Sequence, residues 1–381
     1  MTRGVTMEYQ PTRTDTQKHA TRLYGSLRPL VQWTFLALVL AIGAQFIRFV
    51  SQLEQGRSLT VPRPPGVEAF LPISALISLK YWVLSGVFNR IHPAGLVLLL
   101  IICSLSLFLK RGFCSWVCPF GLLGDYLERI HRYVLHRRLS LPRVLDYPLR
   151  SIKYLLLLFF LWAIFLRMDV GQLAQFIDSP FNRIADVKML QFFAAPSPIT
   201  VIVVGVLLGL SLLVPFFWCR YLCPYGALLG ALSALSPFKI RRNRQSCVGC
   251  RRCTQVCPAR IRVHQAGTVR SDECHACLRC VEVCPVERTL HLSGPRGWPS
   301  LPKHAYAAAV VLLFAAGIWV AQVSGYWHNA IPDREYRAHI AHREHPAYQH
   351  HRGQVPAYDW DALGIPAPAA PTGHAPRPEE R

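Results

Sequence analysis

Eight of the chain's 13 cysteines lie in two closely spaced runs in its second half. The first run, "CVGCRRCTQVCP", begins at Cys247, and the second, "CHACLRCVEVCP", begins at Cys274. Both have the spacing C-x2-C-x2-C-x3-C-P, which is typical of bacterial ferredoxins with two [4Fe–4S] clusters, where the fourth cysteine of each run binds the other cluster. The predicted ligand sets are Cys247, Cys250, Cys253 and Cys284 for one cluster, and Cys274, Cys277, Cys280 and Cys257 for the other.

Zinc and disulfides are the alternatives for these cysteines. Zinc sites use cysteines in separated pairs, so a third cysteine two residues on and a fourth before proline do not fit that spacing. Disulfides are rare on the cytoplasmic side, where the charge pattern described below places this segment. Gly249 gives the backbone room to turn, and Pro258 and Pro285 stop the last turn of each run from continuing as helix.

Four further cysteines form a repeated motif. "FCSWVCPFGLLG" begins at Phe113 and "WCRYLCPYGALL" at Trp218, and each follows directly on an apolar segment. If the turn is helical, the C-x3-C spacing places both thiols of a motif on one helical face, and Pro119 and Pro224 suit the first turn of a new helix. We expect the four thiols of this quartet to meet between two similar halves of the membrane domain: Cys114, Cys118, Cys219 and Cys223.

The chemistry of the quartet stays open at the level of sequence. It could bind a further metal centre, either a cluster or a copper ion, because thiolates are soft ligands. It could instead be a redox-active dithiol pair. The third interpretation is simple packing at the lipid–water boundary, which the repetition of proline, aromatic residue and glycine disfavours. Cys103 stands alone inside an apolar segment and is predicted to be a small buried hydrophobic residue.

The elements that must position these cysteines are apolar helices. The chain of 381 residues is 52% hydrophobic and only 17% charged, which indicates that part of it is embedded in lipid. Five apolar segments predict five transmembrane helices, beginning near Leu30, Pro93, Tyr154, Ile199 and Ala305. Most reach the roughly 20 residues that span a bilayer, and the third is short unless its flanks contribute. A sixth segment, from Ala69, contains Pro72 and Lys80 and is predicted to be re-entrant or interfacial.

The formal charge of +21 is concentrated in two stretches. Between Lys110 and Lys153 there are nine Lys or Arg and three acidic residues, and between Lys239 and Lys303 there are thirteen Lys or Arg and four acidic residues. The loop from Arg167 to Pro198 has three of each sign. By the positive-inside rule the basic stretches are cytoplasmic, so we expect a bacterial inner-membrane protein with its N-terminus inside and its C-terminal tail outside. Anionic lipid headgroups explain the basic residues better than nucleic acid, and no nucleic-acid partner is expected.

The predicted fold class is therefore an α-helical integral membrane protein of about five transmembrane helices in two pseudo-repeated halves, with an inserted α+β dicluster ferredoxin module. The expected domains are a cytoplasmic N-terminal segment at 1–29, the membrane domain at 30–238, the ferredoxin module at 239–303, a last transmembrane helix at 304–324 and a tail at 325–381.

With these motifs the chain resembles the NapH/NosR-type membrane ferredoxins over about residues 30 to 325. The likeness rests on "GVEAFLPISAL" from Gly66, on both C-x3-C-P motifs and on both ferredoxin runs. Some members of this group are thought to oxidise membrane quinol and to feed periplasmic reductases. The similar CcoG/FixG-type proteins are linked to copper reduction during oxidase assembly. NosR-type proteins carry a flavin-binding domain before the spans, where about 29 residues precede Leu30 here, and CcoG-type proteins carry a C-terminal immunoglobulin-like domain, where a Pro/Ala-rich tail of about 57 residues stands here. We therefore expect the chain to be most similar to the short NapH-like members.

The resulting hypothesis is an electron-transfer protein between the quinone pool and a partner redox protein, with two [4Fe–4S] clusters and the quartet as its centres. Whether the chain is an enzyme stays open: it could be a quinol dehydrogenase subunit or a metal reductase. The alternatives are a cupric reductase or metal-centre assembly factor and, in a different class, a redox- or iron-responsive membrane regulator. Glycine patterns for NAD or ATP and the C-x-x-C-H motif for haem c are absent from the sequence.

Two groups of ionisable residues are further candidates for functional sites: a proton acceptor for quinol and a metal site in the tail. A quinol site needs a proton acceptor, and Glu68 in "GVEAF" is the candidate catalytic residue, with Lys80, Tyr81 and His92 near it in sequence. The tail segment "HIAHREHPAYQHH" begins at His339, and its first three histidines would share a helical face that could bind copper, zinc or nickel. We favour a polar, weakly ordered segment there, and disorder beyond Leu363.

Overall fold

The computed structural model describes residues 27–136, 141–295, 298–349 and 360. It divides into two compact units. The first, here called the cysteine unit, comprises Met1–Leu36, Cys103–Lys153 and Leu210–Leu313 and contains all thirteen cysteines. The second unit comprises Ala37–Ile102, Tyr154–Gly209 and Phe314–Arg381.

Helices dominate both units. In chain order the first eight are α1 Leu27–Glu54, α2 Pro72–Ser85, α3 Pro93–Leu109, α4 Gly112–Trp116, α5 Pro119–Leu135, α6 Arg143–Leu161, α7 Val170–Asp178 and α8 Pro180–Arg183. The others are α9 Ala185–Ala194, α10 Pro198–Leu213, α11 Pro224–Leu235, α12 Arg252–Gln255, α13 Arg279–Glu282, α14 Lys303–Val323 and α15 Asp333–Ala341. Short 3-10 helices cover Pro65–Phe70 and Pro346–Tyr348, and π-helices cover Trp162–Arg167 and Trp218–Leu222.

A helix forms at each of the five predicted spans, but only three are long and apolar enough to cross a membrane: α1, α14 and the stretch Val144–Arg167. That stretch has full length because α6 continues as a π-helix, which adds flanking residues to its short apolar core. Helices α9 and α10 form a pair bent by 75° that would make a fourth span. Helix α3 has 17 residues, about 25 Å, and is shorter than a hydrocarbon core of roughly 30 Å. Among the described residues the structure has three candidate spans, or four with the bent pair, where five were expected.

The segment from Ala69 forms the 14-residue helix α2, which is too short to span a bilayer. It packs against α7 within the second unit. Lys80 is buried there, and its Nζ atom donates hydrogen bonds of 3.1 Å to the carbonyls of Ile164 and Phe165. These carbonyls lie at the end of a helix and lack their usual partners, so Lys80 caps that end.

The segment 239–303 carries both cysteine runs and is here called the ferredoxin segment; it is closed by a two-stranded antiparallel sheet. Strand β1, Lys239–Arg242, pairs with β2, Leu290–Ser293, so that the sheet joins the two ends of the segment. Both runs follow the same backbone course between these strands. Gly249 and Ala276, one residue before the second cysteine of each run, have positive φ angles of 70° and 45°. A left-handed alanine is strained, so its occurrence at the position equivalent to a glycine indicates that both runs must make the same tight turn. We infer that this turn directs the thiols of each run toward a common site.

The C-terminal tail is better ordered than predicted over its first part. Helix α15 is packed in the second unit, and His339 on it is fully buried. Its Nδ1 lies 2.6 Å from the Tyr348 hydroxyl and its Nε2 lies 3.2 Å from a carboxylate oxygen of Glu335. His339 is therefore held by protein groups, and a weakly ordered segment at this point was the wrong expectation. The predicted disorder beyond Leu363 lies outside the described residues, as does most of the segment 1–29.

Candidate functional site

The eight cysteines of the two runs surround two separate cavities. Cavity 1 is lined by Cys247, Cys250, Cys253 and Cys284. Cavity 2 is lined by Cys257, Cys274, Cys277 and Cys280. Each cavity thus combines three cysteines of one run with the last cysteine of the other. The short helices α12 and α13, each of which carries the third cysteine of its run, pack against each other between the sites.

The two cavities differ in their electrostatic surroundings. At cavity 2, burial raises the pKa of the Cys257 thiol to about 12 and also raises that of Cys277. At cavity 1, burial by itself raises the pKa of Cys247, but the Gly249 amide and the Arg242 guanidinium lower it below its ordinary value. Arg242 Nη1 lies 3.2 Å from Cys247 Sγ. Hydrogen bonding and burial tune iron–sulfur potentials, so groups bound in the two cavities would differ in potential.

The C-x3-C-P motifs have closely similar local structures. In each, a short helical turn precedes the second cysteine, which is extended and acts as the N-cap of a new helix that starts at Pro119 or Pro224. The turn is therefore broken at Cys118 and Cys223, so a helical turn through both cysteines, the condition for a shared helical face, is not present. The prolines occupy the first helical position as predicted.

Each motif has a glycine two residues after its proline, at a position where a side chain would come close to neighbouring atoms. A Cβ atom on Gly121 would lie 1.9 Å from the carbonyl oxygen of Cys114, which no side chain could tolerate. A Cβ atom on Gly226 would lie 3.0 Å from Arg111 Nη2, and the Gly226 amide donates a 3.2 Å hydrogen bond to Cys223 Sγ. Gly121 thus lets α5 pack directly on its own cysteine turn, whereas the tightest contact at Gly226 is with the end of the Arg111 side chain.

The four cysteines of the quartet are half-buried and lie near one another and near basic side chains. Burial, with Cys114 close by, raises the pKa of Cys118 to about 12, and burial also raises the pKa of Cys219 well above its ordinary value. Arg111 Nη2 lies 4.0 Å from Cys114 Sγ. A third cavity, here called the quartet cavity, is lined by Cys114 and Cys219 together with three arginines, Arg28, Arg111 and Arg220.

The quartet cavity adjoins cavity 2. Pro258, Ala259 and His275 line both, so they form a shared wall. Each C-x3-C-P motif is also anchored to a ferredoxin run by hydrogen bonds to its backbone. Ser115 and Trp116 of the first motif donate to the carbonyls of His275 and Ala276 at 2.5 and 3.1 Å. Arg220 of the second motif donates to the carbonyl of Ala259 at 2.9 Å.

The quartet cavity suits an anionic, thiolate-bound group. Two buried nitrogen atoms on its wall, Arg111 Nε and His275 Nδ1, have no hydrogen-bond partner among the described residues. Buried polar atoms without partners are rare in proteins and often mark a site for an ion or cofactor. Within the described part of the chain, no three or more His, Cys, Asp or Glu side chains are grouped closely enough to hold a single metal ion.

A buried ionic cluster holds the ferredoxin segment against α5. Asp125 accepts hydrogen bonds from Arg279, at 2.6 Å, and from Arg28, and Arg279 also bonds Glu128 at 2.8 Å. Burial by itself raises the pKa of Asp125, but the guanidinium groups of Arg28 and Arg279 lower it below its ordinary value. Arg279 precedes Cys280 directly, so this cluster fixes the second run relative to the first C-x3-C-P motif.

Replacing Asp125 by Asn should leave two buried guanidinium groups with too little opposing charge. We expect a loss of about 3–5 kcal/mol in unfolding free energy, measured as a lower midpoint of thermal unfolding. The matched control is Lys303→Gln, which removes the half-exposed pair with Glu282 and should cost about 0–1 kcal/mol. Equal shifts for the two variants would show that the Asp125 cluster does not stabilise the docking.

Glu68 lies in the second unit, 1% exposed, and lines none of the three cavities. Its carboxylate is 2.8 Å from Arg63 Nη1, accepts a 2.8 Å hydrogen bond from the Gly95 amide, and lies 3.5 Å from His92 Nδ1. Arg63 also binds Asp186 at 2.6 Å. Neither Arg63 nor Asp186 was predicted to belong to this group, because the pair is separated by 123 residues and no local pattern marks it.

Comparison with known proteins agrees with this geometry. A family model described as a 4Fe-4S binding domain matches residues 91–142 and 196–243, which include both C-x3-C-P motifs. A model described as a 4Fe-4S dicluster domain matches residues 239–285, which include both ferredoxin runs. No solved structure matches the chain.

Several curated proteins are similar in sequence. The Escherichia coli K12 protein named "Putative electron transport protein YccM" is 42% identical over 318 residues, which is 81% of this chain and 88% of that protein. "Protein NirI" of Paracoccus denitrificans is 32% identical over 40% of this chain and 22% of its own length. "Ferredoxin-type protein NapH" of E. coli K12 is 29% identical over 39% of this chain and 48% of its own length.

Proposed function

We propose that this chain, which belongs to the family of membrane-associated 4Fe–4S ferredoxin-type proteins, relays electrons between the membrane quinol pool and a partner redox protein. The observation that carries the proposal is the wall shared by the quartet cavity and cavity 2. It brings the repeated cysteine motifs of the membrane domain directly beside a four-cysteine site of the ferredoxin segment.

The cysteines around cavities 1 and 2 are the proposed ligands of two [4Fe–4S] clusters, which supply one-electron transfer when bound. The protein contributes four thiols per site and the backbone course that turns them inward. Burial raises the pKa of the Cys257, Cys277 and Cys280 thiols, so iron binding at cavity 2 would be coupled to the release of protons.

For the quartet we propose a further iron–sulfur centre. The family model for a 4Fe-4S binding domain covers both C-x3-C-P motifs and is separate from the dicluster match. Three arginines and one carboxylate, Glu273, lie on the cavity wall, and this excess of positive charge favours a group that carries net negative charge, as a thiolate-bound cluster does. The partnerless Arg111 Nε would gain an acceptor from its sulfur atoms.

The partner redox protein is expected to dock near cavity 1. Val248, directly after Cys247, is 67% exposed, and exposed arginines flank it at Arg244 and Arg251. A basic rim around a small apolar centre favours an acidic partner surface and speeds its association at low salt. The proposed membrane topology is that of the charge pattern, with the ferredoxin segment cytoplasmic and the tail outside.

Glu68 and His92 are the proposed acceptors of the protons that quinol releases. His92 Nε2 lies 2.5 Å from the carbonyl oxygen of Asn182, so it carries a proton and donates it. His92 Nδ1 then faces a Glu68 oxygen without a hydrogen bond, in a buried group where Arg63 alone opposes two carboxylates. One more proton, on Nδ1 or on Glu68, would balance the charge of this group.

The proposed function is tested by adding a short-chain quinol anaerobically to the purified protein and following the loss of visible absorbance as the clusters are reduced. We expect reduction in the wild type and a rate about 10²–10⁴ lower in Glu68→Gln, because a general base contributes roughly that factor. The matched control is Glu54→Gln, since Glu54 is 40% exposed and pairs with Arg343.

The two parts of the proposal fail separately in this assay. A wild type that quinol does not reduce, although dithionite does, would contradict quinol as the electron donor. A Glu68→Gln protein that reacts as fast as the wild type would contradict only the role of Glu68 and assign it to the stability of the Arg63 cluster.

A further inference from the structure

His275 occupies a position that the proposed function does not yet use. It follows Cys274 directly and is the one polar side chain of the three that line both the quartet cavity and cavity 2, and its Nδ1 atom is buried. The other two, Pro258 and Ala259, offer no polar side-chain atom. Any specific interaction between this wall and a bound group must therefore come from the imidazole or from the backbone.

The imidazole is held in place by residues of both C-x3-C-P segments. The Ser115 hydroxyl, inside the first motif, donates a 2.5 Å hydrogen bond to the His275 carbonyl. The ring of Phe216, just before the second motif, lies 6.3 Å from the imidazole centroid. These contacts fix the residue but leave Nδ1 without a hydrogen-bond partner among the described residues. A histidine that served only to fill space would not need a buried polar atom.

The second unpartnered nitrogen identifies the side on which an acceptor is missing. Arg111 Nε is also buried without a partner, and Arg111 lines the quartet cavity but not cavity 2. One acceptor group in the quartet cavity would therefore satisfy both nitrogen atoms. A group in cavity 2 would satisfy only His275.

We propose that His275 is a positioning residue of the quartet centre, to which its Nδ1–H donates a hydrogen bond through a sulfur atom. This inference rests on the proposed iron–sulfur centre at the quartet. A hydrogen bond to a cluster sulfur stabilises the more negative, reduced form and so raises the reduction potential. His275 thereby makes the quartet centre easier to reduce without being a ligand, and it links the chemistry of the quartet to the adjoining ferredoxin site.

The test is a potentiometric titration followed by EPR on full-length, anaerobically purified protein. His275→Leu removes the donor at similar side-chain volume, and His275→Gln keeps an N–H donor. We expect wild-type iron content in both. In His275→Leu the ratio of reduced to oxidised quartet centre at a given potential should fall about tenfold, equivalent to 59 mV for one electron, and His275→Gln should recover most of the shift. The control is His291→Leu, a histidine on β2 in the same segment.

Four results would overturn the inference, and they distinguish it from the proposed function. An unchanged potential of the quartet centre in His275→Leu would do so, as would an equal shift in His275→Gln, which would indicate a general packing effect. A shift confined to the cluster of cavity 2 would assign the hydrogen bond to that site instead. A wild type without any EPR signal that depends on Cys114 and Cys118 would contradict the proposed iron–sulfur centre at the quartet and, with it, the proposed role of His275. If His275→Leu does not accumulate, His275→Met replaces it.

Discussion

Replacing Cys257 by Ala is expected to remove the cluster built on the second run and to leave the cluster of its own run in place. Cys257 belongs to the first run by sequence, yet it lines cavity 2 with the three leading cysteines of the second run. Without a fourth thiolate that site should lose its iron, about four atoms per protein molecule. The measurement is iron content together with EPR of the reduced protein, in which the magnetic coupling between two neighbouring clusters should disappear.

Two matched variants make this result specific. Cys284→Ala should have the mirror effect, because Cys284 lines cavity 1 with the leading cysteines of the first run. Cys103→Ala should change neither cluster, since Cys103 lies on α3, apart from both runs. If Cys257→Ala instead destroys the cluster of the first run and spares the second, the assignment of ligands to the two cavities is incorrect.

Replacing both Cys114 and Cys118 by Ala is expected to leave the clusters of cavities 1 and 2 intact while quinol no longer reduces them. The two cysteines lie in the motif that is anchored to the second run through Ser115 and Trp116, but neither lines cavity 1 or cavity 2. Reduction by quinol should fall to the rate seen without quinol, and dithionite should still reduce both clusters. The measurement is the anaerobic absorbance assay used for Glu68.

The second motif provides the matched comparison for this variant. Since Cys114 and Cys219 line the same cavity, replacing Cys219 and Cys223 should give the same loss as replacing Cys114 and Cys118. Wild-type rates in either double variant would reduce the quartet to a structural role. A loss of iron from cavities 1 and 2 in either variant would indicate that the motifs hold the ferredoxin segment in place instead of carrying electrons.

Features that depend on short-range spacing were predictable from the sequence. The two cysteine runs, the prolines that begin α5 and α11 and the helices at the five apolar segments follow from local pattern, because each is decided within about one turn or one helix length. The broken turn at Cys118 does not follow from the C-x3-C spacing, which is compatible with both a continuous helix and an N-cap. The local signal for it is the proline that directly follows, because proline disfavours helical backbone in the preceding residue.

Features that depend on distant residues were not predictable. Asp125 and Arg279 form one ionic cluster although 154 positions separate them, and no local pattern marks the pair. The same holds for Arg63, which binds the nearby Glu68 and also Asp186, 123 residues away. His339 was misjudged for a related reason, because its partner Tyr348 lies beyond the end of the helix whose face suggested a metal site.

The presence of an iron–sulfur centre at the quartet, beside the two clusters of the ferredoxin segment, is best tested by measuring iron and acid-labile sulfide content together with low-temperature EPR. The two samples are anaerobically purified wild type and the Cys114/Cys118 double variant. We expect about twelve iron atoms in the wild type and about eight in the variant, with coupled [4Fe–4S] signals in both proteins. About eight iron atoms in both would contradict an iron–sulfur centre at the quartet, and fewer than eight without coupled signals would contradict the two-cluster ferredoxin segment.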